Sequence, residues 1–172
     1  MSLFGKPKPI LQVFNEAGDL IHSLIVSKNG FIHLGRHSQP KKHPLIESLK
    51  HEGSIVLTKD TTSRSHGAIT FVKDEGGNFA FSIADLDSAH GISARFKPPT
   101  GNPREDMQRT VFGVGRKPLP IPDYAELTLR GFGRIENWPR GREPERLRVR
   151  VFRPNCPGYE DALKLHKGFA RR

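Results

Sequence analysis

Residues 61–69 have the sequence Thr61-Thr62-Ser63-Arg64-Ser65-His66-Gly67-Ala68-Ile69, in which a polar run passes directly into an apolar one. A loop that ends where a strand begins has this pattern. Two further polar clusters stand at predicted strand ends. They are Gly35-Arg36-His37-Ser38 upstream and Asp85-Leu86-Asp87-Ser88-Ala89-His90-Gly91-Ile92 downstream.

Short apolar runs separated by turn residues continue on both sides of this segment. The predicted strands cover residues 10–14, 20–26, 31–34, 54–57, 67–72, 79–83, 92–96, 110–114, 125–129 and 147–152. Asn29-Gly30 indicates a hairpin between the second and third of these strands. Residues 44–51 are predicted to form one short helix inside a polar loop. Because strands do not alternate with helices, the expected fold is all-β, an antiparallel sandwich with long loops.

Three segments lie outside this pattern of strands. Residues 97–108 are polar and rich in Pro and Gly, which predicts a long loop, and residues 130–146 form an Arg/Gly-rich connector. Residues 159–167 place acidic side chains first and basic side chains last, as the dipole of a short helix favours. The predicted organisation is one domain over residues 1–153 and a basic, helical C-terminal tail over residues 154–172.

The three polar clusters together resemble the signature of the forkhead-associated (FHA) family: Gly-Arg, then Ser-x-x-His, then Ser-x-x-Gly. In this chain the three parts begin at Gly35, Ser63 and Ser88. The resemblance extends over about residues 10–152. It implies a β-sandwich of about eleven strands that recognises phosphothreonine through loops at one end.

The resemblance also implies roles for individual residues. Arg36 and Ser63 would bind the phosphate, Arg64 would add a further contact, and His90 would hold the peptide backbone. His90 stands where the family commonly has asparagine, while Ala89 and Ile92 stand where many members have threonine. The residues expected to shape the site without touching the ligand are Gly35, His66, Ser88 and Gly91.

The residues themselves leave plainer interpretations open for these positions. Arg36 would be a surface arginine paired with a nearby acid, and Ser63 would be a hydroxyl that caps a turn. His90 would then only pack its loop. For His66 the structural role is the preferred one, because its two ring nitrogens can tie adjacent loops together.

The net charge of +10 and the sequence pI of about 10.1 indicate a polyanionic partner as a second hypothesis. Residues 1–98 carry 12 basic and 9 acidic side chains, whereas residues 99–172 carry 16 and 9. The alternative function is therefore an FHA-fold subunit of a large assembly, for example a ribonucleoprotein. The arginines predicted to contact RNA are Arg134, Arg140, Arg142, Arg171 and Arg172.

Several function classes find no support in the sequence. No catalytic carboxylate pair, nucleophile motif or complete phosphate loop is present, so no enzyme activity and no cofactor are expected. The eight histidines show no zinc spacing, and the single cysteine, Cys156, forms no intrachain disulfide. No apolar run approaches the roughly 20 residues that span a bilayer. The expectation is a soluble intracellular protein, with nucleus, cytoplasm and organelle interior left undistinguished.

Overall fold

The computed structural model describes residues 7–96, 100–107, 111–130 and 143–171. Within these ranges the chain forms eleven strands and two helices. The elements in chain order are β1 Ile10–Phe14, β2 Leu20–Ile25, β3 Gly30–Gly35, β4 Lys50–Val56, β5 Gly67–Lys73, β6 Phe79–Asp85, β7 Ser93–Arg95, α1 Pro103–Met107, β8 Phe112–Gly113, β9 Leu119–Ile121, β10 Tyr124–Thr128, β11 Arg146–Phe152 and α2 Tyr159–Ala170.

The strands form two sheets that pack face to face. The six-stranded sheet has the order β2-β1-β11-β10-β7-β8, and the five-stranded sheet has the order β4-β3-β5-β6-β9. The pairings are antiparallel except that of β3 with β4, which is parallel. The predicted β-sandwich of about eleven strands with a C-terminal helix is confirmed.

The core lies between the sheets because the strands alternate apolar and polar side chains. On β11 the side chains of Leu147, Val149 and Val151 are buried, while the residues between them are exposed. From the five-stranded sheet, β5 and β6 contribute large buried side chains such as Phe71 and Phe81. Burying one side chain of this size stabilises the fold by about 1.5–3 kcal/mol, so the alternation fixes which face of each strand points inward.

The hairpin predicted at Asn29-Gly30 is wrong, because β2 and β3 belong to different sheets. The chain crosses from one sheet to the other at this point. Gly30 is required for a different reason than a tight turn: a Cβ atom at this position would lie 2.8 Å from the carbonyl oxygen of Lys50. The glycine therefore allows β3 and β4 to approach closely in their parallel pairing.

The helix predicted over residues 44–51 is also wrong. Residues 44–49 form turns, and β4 begins at Lys50, four residues earlier than the predicted strand. Ile46 is buried in a small cluster with Phe31, Ala68 and Leu86, and Leu49 packs against this cluster. Ile46 and Leu49 are three residues apart, as on one face of a helix, but here they lie on successive turns that cover the sheet.

Two short elements were absent from the sequence prediction. β9 contains Pro120, which weakens the strand signal, and it pairs with β6 at the edge of its sheet, where proline is tolerated. α1 lies within the segment 97–108 that was predicted as a loop. Of the Arg-rich connector, residues 131–142 lie outside the described residues.

The C-terminal helix α2 packs against β1 and β2 on the outer face of the six-stranded sheet. Ala162 is buried, and its carbonyl oxygen accepts a hydrogen bond of 3.0 Å from Nε2 of the buried Gln12. Oγ of Ser23 lies 2.8 Å from Nδ1 of His166. These contacts attach the segment predicted as a tail to the sandwich. Among the described residues, no helix is long and apolar enough to cross a membrane.

Candidate functional site

Three loops meet at one end of the sandwich, and main-chain hydrogen bonds join them. They are loop A (residues 36–49), loop B (residues 57–66) and loop C (residues 86–92). The amide of Arg36 donates to the carbonyl of Ser63 at 3.1 Å, and that of His37 donates to the carbonyl of Arg64 at 3.1 Å. The amide of Leu86 donates to the carbonyl of His66 at 3.0 Å, which joins loop C to loop B.

Gly35 allows the close approach of loops A and B. A Cβ atom at this position would overlap the carbonyl oxygen of Arg64, so a side chain here would push the two loops apart. Arg36 follows directly, and its Nε donates a hydrogen bond of 2.6 Å to the carbonyl of Thr62. Within the described ranges no acidic side chain forms an ion pair with the exposed Arg36. The hydrogen bond to Thr62 therefore orients the guanidinium group of Arg36, and its two terminal nitrogens remain available to a ligand.

Ser63 lies between loop B and loop C and is half-buried. Its Oγ accepts a hydrogen bond of 3.0 Å from the amide of Ala89. An amide can only donate, so this contact leaves the hydroxyl proton of Ser63 free to be donated to an acceptor outside the loops. The contact also fixes the position of Oγ relative to Arg36, which is bonded to the carbonyl of the same serine.

His66 holds loops B and C together through both ring nitrogens. Its Nε2 donates to the carbonyl of Gly91 at 2.7 Å, and its Nδ1 accepts from the amide of Ser63 at 3.0 Å. These two bonds require the neutral ring with the proton on Nε2. Burial lowers the pKa of His66 below 6.5, although the hydrogen bond to the Gly91 carbonyl opposes the shift. Both ring nitrogens of His66 are therefore engaged by main-chain groups of loops B and C.

Loop C is shaped by a local network around Ser88. Its amide and its hydroxyl donate to the two carboxylate oxygens of Asp85 at 2.8 and 3.0 Å, and its Oγ accepts from the amide of Gly91 at 2.9 Å. Gly91 has a φ of 77°, in the left-handed region that favours glycine. This network places His90, which is exposed, at the rim of the loop cluster.

The fold that presents these loops is shared with solved structures, although no protein-family model and no curated protein matches the chain. The MEK1 FHA domain has 14% identity and a TM-score of 0.50, with 85% of this chain and 91% of that chain covered. The chain has the FHA fold. A second similar structure is that of the yeast Pml1 splicing factor, also at 14% identity and a TM-score of 0.50, covering 88% of this chain and 85% of that one.

In this FHA fold the predicted site residues lie in the loop cluster or border it. Arg36, Ser63, Arg64 and His90 belong to loops A, B and C, and Arg64 and His90 are exposed. Of the four residues expected to shape the site, Gly35, His66 and Gly91 lie where two loops meet, and Ser88 forms the network within loop C. Of the arginines predicted to contact RNA, Arg171 is exposed at the end of α2. The other four, Arg134, Arg140, Arg142 and Arg172, lie outside the described residues.

Sequence reasoning missed two side-chain pairs that support loops A, B and C. Nε2 of His43 lies 3.1 Å from Oδ2 of the exposed Asp87 and links loop A to loop C. In the core below, Nε2 of His33 lies 3.0 Å from Oγ of Ser65, which also accepts from the amide of Lys41 at 3.2 Å. Each pair joins distant positions of the sequence, so no local pattern could have revealed it.

Proposed function

We propose that the chain is a non-catalytic module that binds a phosphothreonine-containing segment of a partner protein across loops A, B and C. The observation that carries this proposal is the pairing of Arg36 with Ser63. Main-chain bonds hold the two residues next to each other, and each keeps hydrogen-bond donors that the described residues do not use. Such a pair suits a ligand that is anionic and has several acceptor oxygens.

A phosphate group fits this pair of donors. The guanidinium of Arg36 can donate two parallel hydrogen bonds to a phosphate, and charge-assisted bonds of this kind are roughly twice as strong as neutral ones. The hydroxyl of Ser63 adds a third donor, and Arg64, in the same loop, adds positive charge. Because the loops are already bonded to one another, the site loses little entropy when the ligand binds. His90 at the rim is proposed to hydrogen-bond the peptide backbone.

The arrangement supports binding rather than catalysis. A nucleophile needs an adjacent base with a free nitrogen or oxygen. The histidine next to Ser63 is His66, and both of its ring nitrogens are engaged by main-chain groups. In addition, no cluster of three or more His, Cys, Asp or Glu side chains among the described residues is arranged to hold a metal ion.

The proposal is tested by the binding of a degenerate phosphothreonine peptide library to the purified chain and to the variant Arg36→Ala. Loss of the guanidinium is expected to weaken binding by about 30-fold or more, since truncating one partner of a charged hydrogen-bonded pair costs about 2–5 kcal/mol. Lys73→Ala is the matched control: it removes one positive charge at the far end of β5, about 20 Å from loop B.

Three results would contradict the proposal. The first is a folded Arg36→Ala variant that keeps its affinity for the peptides. The second is a wild-type chain that binds phosphorylated and unphosphorylated libraries equally. The third is an equal loss of affinity in Lys73→Ala, because the binding would then follow net charge rather than the loop cluster.

A second candidate function is a structural subunit of a large assembly, for example a ribonucleoprotein. It is favoured by the similarity in fold to the yeast Pml1 splicing factor, which is described as integrated into the RES complex, and by the basic second half of this chain. In this function Arg134, Arg140, Arg142, Arg171 and Arg172 neutralise RNA phosphates. Affinity for RNA should then fall steeply with salt, and an affinity that does not change with salt would refute it.

A further inference from the structure

The outer face of the six-stranded sheet carries a row of arginines on β11. Arg146, Arg148 and Arg150 alternate with buried apolar residues and are all exposed. Arg95 on β7 joins the row, because it pairs in register with Glu126, which itself pairs with Arg148. Residues that are paired directly across strands point to the same face of a sheet. We call the surface formed by Arg95, Arg146, Arg148 and Arg150 the arginine face.

Helix α2 leaves the arginine face uncovered. The helix packs on β1 and β2, where it contacts Gln12 and Ser23, whereas the arginine face lies on β11 and β7. Two half-buried aromatic side chains lie among the arginines in register. Tyr124 pairs with Arg150, and Phe14 pairs with Arg148.

The stability of the fold does not account for these arginines. Arg146 lies 3.9 Å from Glu16, and both side chains are more than half exposed, so the pair contributes at most about 1 kcal/mol. Arg150 lies over the ring of Phe152 at 4.8 Å. Arg95 and Arg148 form no ion pair within the described ranges. Glu126, the acid between them, accepts a hydrogen bond of 2.9 Å from the hydroxyl of Tyr124.

We propose that the arginine face binds the phosphate backbone of a single-stranded nucleic acid. Alternate residues of a strand are about 6.8 Å apart, so β11 presents guanidinium groups at regular intervals along a rigid line. Arginine is the side chain best suited to bind phosphate, because its guanidinium group donates two parallel hydrogen bonds, and nearby aromatic rings can stack on bases. The arginine face consists of strands and offers no helix that could enter the groove of a duplex, which favours a single strand.

The charge of the chain fits this occupant. The net charge is +10, and the segment that connects β10 to β11 carries four more arginines in sequence, at 130, 134, 140 and 142. The proposal is independent of the phosphopeptide site, which is built on different loops. It deepens the ribonucleoprotein alternative by assigning contacts to the sheet face rather than to the connector and the C-terminus.

The test is the binding of a labelled oligouridylate of about twelve nucleotides, measured by fluorescence anisotropy over a range of salt concentrations. If three or four arginines neutralise phosphates, log Kd should rise with log salt with a slope of about 2–3. The variant R146Q/R148Q/R150Q should lose at least tenfold in affinity and about 2 in slope. A deoxyuridylate of equal length should bind similarly, since backbone contacts do not select the sugar.

The control variant K28Q/K50Q/K73Q removes the same charge from exposed positions on or next to the five-stranded sheet. It should keep the wild-type slope to within about 0.5. Equal losses in both triple variants would overturn the proposal in favour of net charge alone. Unchanged binding by R146Q/R148Q/R150Q would also overturn the proposal for the arginine face. The arginines of the connector and the C-terminus would then remain as the predicted RNA contacts.

Two further measurements complete the test. The variant R146K/R148K/R150K keeps the charge and should retain most of the binding; a loss as large as that of the glutamine variant would refute a role in phosphate neutralisation. In a separate titration, polyglutamate is added as a competitor of the labelled oligonucleotide, at the same concentration of negative charge as unlabelled oligouridylate. If it displaces the oligonucleotide as well as unlabelled oligouridylate does, the face fits an acidic protein and the nucleic-acid proposal is wrong.

Discussion

Acid should destabilise this protein through a histidine beneath the loop cluster. His33 is fully buried on β3, and burial, together with the nearby His51, lowers its pKa from 6.5 to about 4. As the pH falls, the unfolded chain therefore takes up a proton at this residue before the folded chain does. The stability that neutral His33 provides is complete above pH 6.5 and is lost progressively between pH 6.5 and about pH 4.

The size of this effect follows from the two pKa values. The difference corresponds to about 3 kcal/mol when the loss is complete, and to about 2 kcal/mol at about pH 5. The folding free energy of a domain of this kind is about 5–15 kcal/mol, so a loss of this size is readily measured. His66 is also buried and His22 is half-buried, and burial lowers the pKa of both, so the wild-type loss will exceed the contribution of His33.

The variant His33→Gln isolates the contribution of one residue, because His22 and His66 titrate in both proteins. Urea unfolding at about pH 7.5 and about pH 5 gives the loss of stability for each protein. The wild type should lose about 2 kcal/mol more than the variant over this interval. Equal losses in the two proteins would refute the argument that burial of His33 holds it neutral.

Two further predictions concern the packing of the site and of the helix. Gly35→Ala should lower the free energy of unfolding by about 1–3 kcal/mol in urea titrations, because the new methyl group overlaps the Arg64 carbonyl oxygen. Gly115→Ala, where no atom lies within 4 Å of the added Cβ, should change the stability little. Equal costs for the two variants would contradict the overlap at Gly35. Ala162→Glu places a charge in the buried contact between α2 and the sheet, so α2 should detach at a cost of about 2–3 kcal/mol. A detached helix of 12 residues is marginal in water, so circular dichroism should show lost helicity. Leu165→Glu, at 51% exposure on the same helix, should keep it, and a similar loss there would point to helix propensity instead.

The fold could be predicted from sequence where each strand alternates on its own. β11 is the clearest case, because its three buried aliphatic residues and its three arginines mark the two faces without reference to any partner. The pairings between strands that are far apart in the sequence could not be predicted in this way, because no local pattern encodes them. Asn29-Gly30 has the composition of a hairpin turn, but its glycine serves the approach of Lys50 in a parallel neighbour that the local sequence does not reveal.

The loop cluster was predictable to the extent that its residues belong to a spaced signature. The three parts around Arg36, Ser63 and Ser88 pointed to neighbouring loops, and these loops lie together in the structure. Residues expected to shape the site, such as His66 and Gly91, were part of this signature. The main-chain partners that His66 and Arg36 bind were not predictable, because every position has the same main-chain groups. The carbonyl of Thr62, which orients Arg36, is a main-chain group that every residue type has, so no residue type marks that position.

The main-chain bonds between the loops separate the shape of this site from its chemistry. Exposed side chains such as those of Arg64 and Ala89 take no part in the main-chain bonds that hold the loops in place. Mutations of these side chains can therefore change the surface that the loop cluster presents at little cost to folding, provided that Gly35, His66 and Gly91 are kept. A fold built in this way can change the surface of its loops far faster than its architecture. The same property makes the loop tips a practical location for selecting new binding specificities on an unchanged sandwich.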